Sequence, residues 1–184
     1  MFIQTEQTPN PATLKFLPGC DVLGRGTADF PTREEAARSP LAARLFEIDG
    51  IAGVFLGADF ITITKTDARD WFLLKPSILG VIMEHFTAGR PVLLEEAGDG
   101  HAAGNAEDAE IVEQIKELLD TRVRPSVAQD GGDITFHGFE EGVVYLSMKG
   151  ACAGCPSSTA TLKAGIENML RHYIPEVVEV RAVR

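Results

Sequence analysis

ITFHGFEEGVVYLSMKGACAGCPSS, Ile134 to Ser158, reads as a strand, a turn, a second strand and a cysteine pair that opens onto a helix. Ile134 to Glu140 and Val143 to Lys149 form a predicted hairpin around Glu141-Gly142. Beyond the cysteines, Ser158 to Tyr173 carries Leu162, Ile166, Met169 and Leu170 at helical spacing. Pro175 follows, and VVEVRAV then reads as a final strand. Ahead of the hairpin, Ala109 to Val123 places Ile111, Ile115, Leu118 and Leu119 at helical spacing, and Pro125 is expected to stop that helix. The expected module is α-β-β-α-β, with its cysteine loop between the hairpin and the second helix.

That loop holds Cys152 and Cys155, two of the three cysteines in the chain. Pro156 suits a first helical position, and Ser157, Ser158 and Thr159 can cap orphan N–H groups. A helix N-terminus favours thiolate, which is both a metal ligand and a redox nucleophile, so electrostatics alone does not choose between them. Gly150, Ala151, Ala153 and Gly154 are expected to leave the backbone uncovered for something large to approach.

The 184-residue chain has room for one large domain or two small ones, and its net charge of −10 argues against a nucleic-acid partner. No stretch approaches a membrane span, and MFIQTEQTPNPATLKF lacks the features of a secretory or transit segment. Three cysteines do not make a disulfide framework, so a C-x-x-C here reads as metal-binding or catalytic.

EAGDGHAAGNAED, Glu96 to Asp108, is small, polar and acidic without apolar periodicity, and reads as a flexible linker that carries a solvated His101. Upstream of it, Phe2 to Phe16 reads as two short strands around the turn Pro9 to Pro11, followed by Cys20 as an incidental or partly buried thiol with no ligand role. Ser39-Pro40 reads as an N-cap with proline at N1, opening a helix with Leu41, Leu45 and Ile48 on one face. Val54 to Lys65 reads as a hairpin turning at Gly57-Ala58-Asp59, Trp71 to Phe86 as a helix, and Pro91 to Leu94 as a last strand. His85, His137 and His172 are expected to be structural. Both halves are therefore small α+β domains: residues 1–95, a linker over 96–108, and a C-terminal domain over 109–184.

Counting donors narrows the chemistry. A structural zinc site or an iron–sulfur cluster wants about four N/S donors, and this module supplies two cysteines plus two histidines without zinc-finger spacing. Two copies of the loop related by a two-fold axis supply four thiolates, which points to a cluster held between protomers. A thiol–disulfide oxidoreductase also uses strand–CxxC–helix and stands as the alternative. Against it, the module is short for a thioredoxin fold, its strand belongs to a hairpin rather than a βαβ unit, and no aromatic residue precedes Cys152. A zinc-linked structural dimer is a third reading.

DGGDI (Asp130 to Ile134), GACAGCPSSTATLK (Gly150 to Lys163), GIE (Gly165 to Glu167) and IPEV (Ile174 to Val177) together resemble the C-terminal domain of NifU, shared by Nfu-type iron–sulfur scaffold proteins. TEQTPNPATLKFLPG (Thr5 to Gly19), DFITITK (Asp59 to Lys65) and WFLLKP (Trp71 to Pro76) resemble the Nfu N-terminal domain. The resemblance implies a carrier rather than an enzyme. Cys152 and Cys155 of each protomer would ligate a [4Fe–4S] cluster, with [2Fe–2S] as the alternative, in a cluster-bridged homodimer. Apo iron–sulfur proteins and upstream assembly proteins would be its partners, and the N-terminal domain would help to recognise them. Asp130 and Asp133, flanking Gly131-Gly132, read as turn formers that shape the face behind the loop. The start at MFIQTEQTPN suggests a bacterial cytoplasmic member, with a processed mitochondrial form as the alternative.

Overall fold

The computed structural model describes residues 2–94, 108–153 and 156–183, without the side chains of 156–159. The chain divides into two compact units, Met1–Asp99 and Gly100–Arg184. Most of the expected linker, with His101, lies outside the described residues.

In the first unit, strands β1 (Gln4–Gln7), β2 (Thr13–Leu17), β3 (Ala28–Phe30), β4 (Ile51–Leu56) and β5 (Ile61–Lys65) form one antiparallel sheet in the order β1-β2-β5-β4-β3. The turn at Asn10 closes as expected: Thr13 N–H donates to its carbonyl (3.0 Å) and Ala12 N–H to its Oδ1 (3.1 Å). Pairing aligns Leu14, Ile63 and Val54 in one row and Phe16, Ile61 and Leu56 in the next, all buried. Helices α1 (Pro40–Phe46) and α2 (Trp71–Thr87) add Leu41, Leu45, Leu74, Ile78 and Ile82 to the same core. Each such side chain contributes about 1.5–3 kcal/mol relative to exposure. Ser39 caps α1 as expected, accepting from Ala42 N–H at 3.1 Å. The sequence reading missed β3, three residues that show no periodicity and are a strand only because Phe30 pairs with Val54 and Ala28 with Leu56.

Pro91 to Leu94 is not a strand. Its carbonyls and N–H groups go to helical elements instead of the sheet: Ser39 Oγ donates to Val92 O, Leu94 N–H donates to Arg38 O (2.9 Å), and His85 Nε2 lies 3.1 Å from Pro91 O. His85 is fully buried near the end of α2. Burial lowers its pKa from the ordinary 6.5; the bond to Pro91 opposes that shift, and the Arg44 and Arg90 charges add to it.

The second unit begins with α3 (Ala109–Leu118), a π-helical turn (Leu119–Val123) and α4 (Arg124–Gln129). Pro125 therefore does not stop the helix. It falls in the first turn of α4, where no N–H is required, and the π turn before it takes up the extra residue. The apolar stripe accordingly runs on through Val112, Ile115, Leu119, Val123 and Val127, all buried. Strands β6 (Gly132–Glu140) and β7 (Val143–Gly150) form the expected hairpin, with Glu141 (φ 50°) and Gly142 (φ 80°) at its turn. Helix α5 (Pro156–Tyr173) then returns the chain to β8 (Glu179–Val183), which pairs parallel to β7. The order β6-β7-β8 thus gives the expected α-β-β-α-β module, with the helical segment before β6 broken by the π turn. β7 belongs to the hairpin and also to a β7-α5-β8 crossover, so the objection that no βαβ unit holds the cysteines does not stand.

Arg124 ties the helical layer to the sheet. Its Nε and Nη2 donate to Asp133 Oδ1 and Oδ2 (2.9 and 3.0 Å), and its Nη1 donates to Asp120 Oδ1 (3.0 Å). Asp133 Oδ1 also accepts from Ile134 N–H at 2.8 Å. Burial opposes the Arg124 charge, yet the hydrogen bonds and charges of Asp133 and Asp120 hold the guanidinium above its ordinary pKa.

Two measurements check these contacts. Above pH 6.5 His85 is neutral in both states; below it the unfolded chain binds the proton first. The stability of the first unit should therefore fall as pH drops through 6.5 toward the lowered folded pKa, then level off. Urea unfolding followed through Trp71, the single tryptophan, should show a steeper acid loss than in His85→Gln; equal slopes would refute the assignment. In the second unit, Arg124→Leu removes the bidentate partner of a carboxylate whose side chain is 4% exposed, at an expected cost of about 3 kcal/mol. In melts followed by far-UV circular dichroism, Arg124→Leu/Asp133→Leu should recover part of that loss, and strictly additive losses would show the pair to be uncoupled.

Candidate metal centre

The cysteine loop grows out of the open end of the β6–β7 hairpin, where Gly132 pairs with Gly150 and Asp133 with Lys149. Two backbone bonds shape its start: Ala151 N–H donates to Gly131 O and Ala153 N–H to Gly150 O, each at 3.1 Å. Gly131 (φ 81°) and Gly150 (φ 65°) occupy left-handed backbone, which permits the tight approach to β6 and the exit from β7. Helix α5 starts at Pro156, so the loop runs into a helix N-terminus as expected.

Cys152 points inward. It is 6% exposed and belongs to the same core as Ile134, Val127, Ile166 and Leu170. A Cβ placed on Gly132 would lie 2.5 Å from Cys152 Sγ, 2.8 Å from Lys149 O and 3.0 Å from Cys152 N. Ala151 is buried as well. The expectation that the small residues leave this backbone uncovered therefore fails for Ala151, whose methyl fills core space, while Ala153 is exposed. Cys155 and Gly154 lie outside the described residues, as do the side chains of Ser157, Ser158 and Thr159.

Behind the loop, the two aspartates of DGGD part ways. Asp130 is an exposed residue at the end of α4, close to the turn-forming role expected for it. Asp133 is buried and ion-paired to Arg124, a role the sequence reading missed. The partners stand nine positions apart across Pro125 and a turn, and no local periodicity links them.

The other candidates stay apart from the loop. Cys20 is exposed in the first unit and lines an open depression of about 520 Å³ with Phe2, Gln4, Leu17, Gly19, Asp21 and Asp59. His137 is exposed at a register shift in β6, and His172 is exposed with its ring edge-on to Tyr173 at 5.0 Å. Among the described residues, no group of three or more His, Cys, Asp or Glu side chains could hold a metal ion, and no helix is long and apolar enough to cross a membrane. The thiol chemistry of the loop fits an iron–sulfur cargo. The inward pose of Cys152 is not that of a thiol facing a second chain.

Known proteins resemble this chain in sequence along both of its halves. The family described as the N-terminal part of the Nfu/NifU scaffold proteins matches residues 3–89, and the NifU-like domain matches residues 115–181. The human protein named NFU1 iron-sulfur cluster scaffold homolog, mitochondrial, is 56% identical over all 184 residues, which span 72% of its length. The namesake from Drosophila sechellia is 55% identical over the same residues, which span 65% of its length. A solution structure of a NifU-like protein from Saccharomyces cerevisiae is 29% identical, with a TM-score of 0.47 over 52% of this chain and 87% of that one. These relatives overturn the expectation of a bacterial cytoplasmic protein, because those matched along the whole chain are named as mitochondrial. That expectation rested on the first residues of the chain, which do not report a compartment. With both domain families matched in order and this degree of identity sustained along its full length, the chain belongs to the Nfu/NifU family of iron–sulfur cluster scaffold proteins.

Proposed function

We propose that this chain carries a [4Fe–4S] cluster as cargo between assembly proteins and apo iron–sulfur proteins, as a mitochondrial scaffold of the kind its relatives are named for. The observation that carries the reading is the donor count: one strand–loop–helix junction offers Cys152 and Cys155, half of a four-thiolate set, and a second copy offers the other half. Four thiolates on such a cluster leave about two net negative charges. The N-terminus of α5, with its oriented N–H groups, is a favourable neighbour for that charge.

Carriage asks little acid–base chemistry of the protein. A ligand set shared between two chains can be exchanged, thiolate by thiolate, for a better-chelating acceptor site. The reading is therefore of a carrier and not an enzyme. Residues 109–184 hold the cargo, residues 1–95 recognise partners, and residues 96–108 tether the two.

Anaerobic reconstitution with ferrous iron and sulfide tests this. The full chain should give a brown dimer with about four iron atoms per two chains. Cys152→Ala and Cys155→Ala should each abolish the visible absorption, whereas Cys20→Ala should leave it intact. A Cys155→Ala protein that kept its iron and colour would sink the ligand assignment, and a colourless dimer with tightly bound zinc would replace the cargo.

A further inference from the structure

The two adjacent glycines of DGGD are glycine for different reasons. Gly131, at φ 81°, needs the left-handed region for its turn. Gly132 lies in strand β6, paired with Gly150, and the left-handed region does not account for it. Glycine inside a strand weakens it, and its usual justification is another group in close approach. Here that group is residue 152. The space a side chain at 132 would need is filled by Cys152 Sγ at 2.5 Å, Lys149 O at 2.8 Å and Cys152 N at 3.0 Å. Two of those three atoms are backbone, so rotating the thiol alone would not clear the clash.

We infer that Gly132 is a positioning residue for Cys152: its bare backbone forms a seat that holds the thiol inside the second unit, and the thiol leaves this seat before it can hold cargo. The second clause rests on the reading of Cys152 as a ligand. A sulfur atom shared around a cluster with another chain must reach the surface where the chains meet, and Cys152, a residue only 6% exposed, does not. The seat is anchored on both sides. Asp133, next in the chain, is held by Arg124, and Gly131 O accepts from Ala151 N–H at 3.1 Å. While seated, the thiol is withheld from oxidants and adventitious metal; local opening of the loop makes it available.

The test uses the full chain carrying Cys20→Ala and Cys155→Ala, so that Cys152 is its single cysteine. Iodoacetamide labelling without oxygen, read by mass spectrometry, should proceed at least about tenfold more slowly in native buffer than in denaturing urea. Adding Gly132→Ala should raise the native rate several-fold in a chain whose far-UV spectrum is unchanged. If Gly132→Ala destabilises the fold, Cys152→Ala should recover part of the loss, because removing Sγ clears the nearest clash. Labelling as fast as in urea, or an equal cost of Gly132→Ala with and without Cys152, overturns the inference. Neither readout uses iron. Failed reconstitution with a protected thiol overturns the carrier reading alone, and normal reconstitution with an unprotected thiol overturns the seat alone.

Discussion

Arg124 gripping Asp133 through two hydrogen bonds is the contact from which the second unit is organised. The carboxylate is almost fully buried, so its charge is tolerable only with a guanidinium fork and the Ile134 N–H to satisfy it. That requirement fixes α4 against the start of β6. Asp133 also follows Gly131-Gly132 directly, so the same contact fixes the backbone on which the cysteine loop rests. The Ala151 bond to Gly131 and the close packing of Cys152 on Gly132 both depend on β6 starting where it does.

This dependence links stability to chemistry. A permanent metal site has preorganised ligands, and its fold often depends on the metal; the proposed carrier role asks the cysteine loop to hold its cargo only briefly. The apolar core of the second unit draws on Val112 to Val127 from the helices, Ile134 and Phe136 from β6, Val144 and Leu146 from β7, and Ile166 and Leu170 from α5. Cys152 joins that core as a small apolar group. The first unit has its own core of aliphatic rows and two helices, closed at its end by Ser39 and His85 on the segment 91–94.

Much of the fold was legible in the sequence because its signals are local. The Asn10 turn, the Ser39 cap, the Glu141-Gly142 hairpin and the spacing of apolar residues in α2 and α5 each act within a few positions. The misreadings were long-range, apart from a local one at Pro125. Pro125 looked like a stop because the rule against interior proline assumes a regular helix, and the π turn that accommodates it is not written in spacing. Pro91 to Leu94 looked like a strand because short apolar runs do not say whether they will pair with a sheet or with helix ends. β3 and the parallel pairing of β8 with β7 exist only through partners distant in the chain.

The candidate site divides along the same line. Sequence by itself determined the candidate donors, two thiols at C-x-x-C spacing before a helix start, because donor type and count are properties of residues and of their order. Tertiary structure alone decided where one of those thiols points, which glycine makes room for it, and which aspartate is a turn former and which is half of an ion pair. Those outcomes depend on close packing between segments nine to twenty residues apart, from Arg124 against Asp133 to Gly132 against Cys152. Packing at such distances is set by the whole core at once, and no window of the sequence contains it.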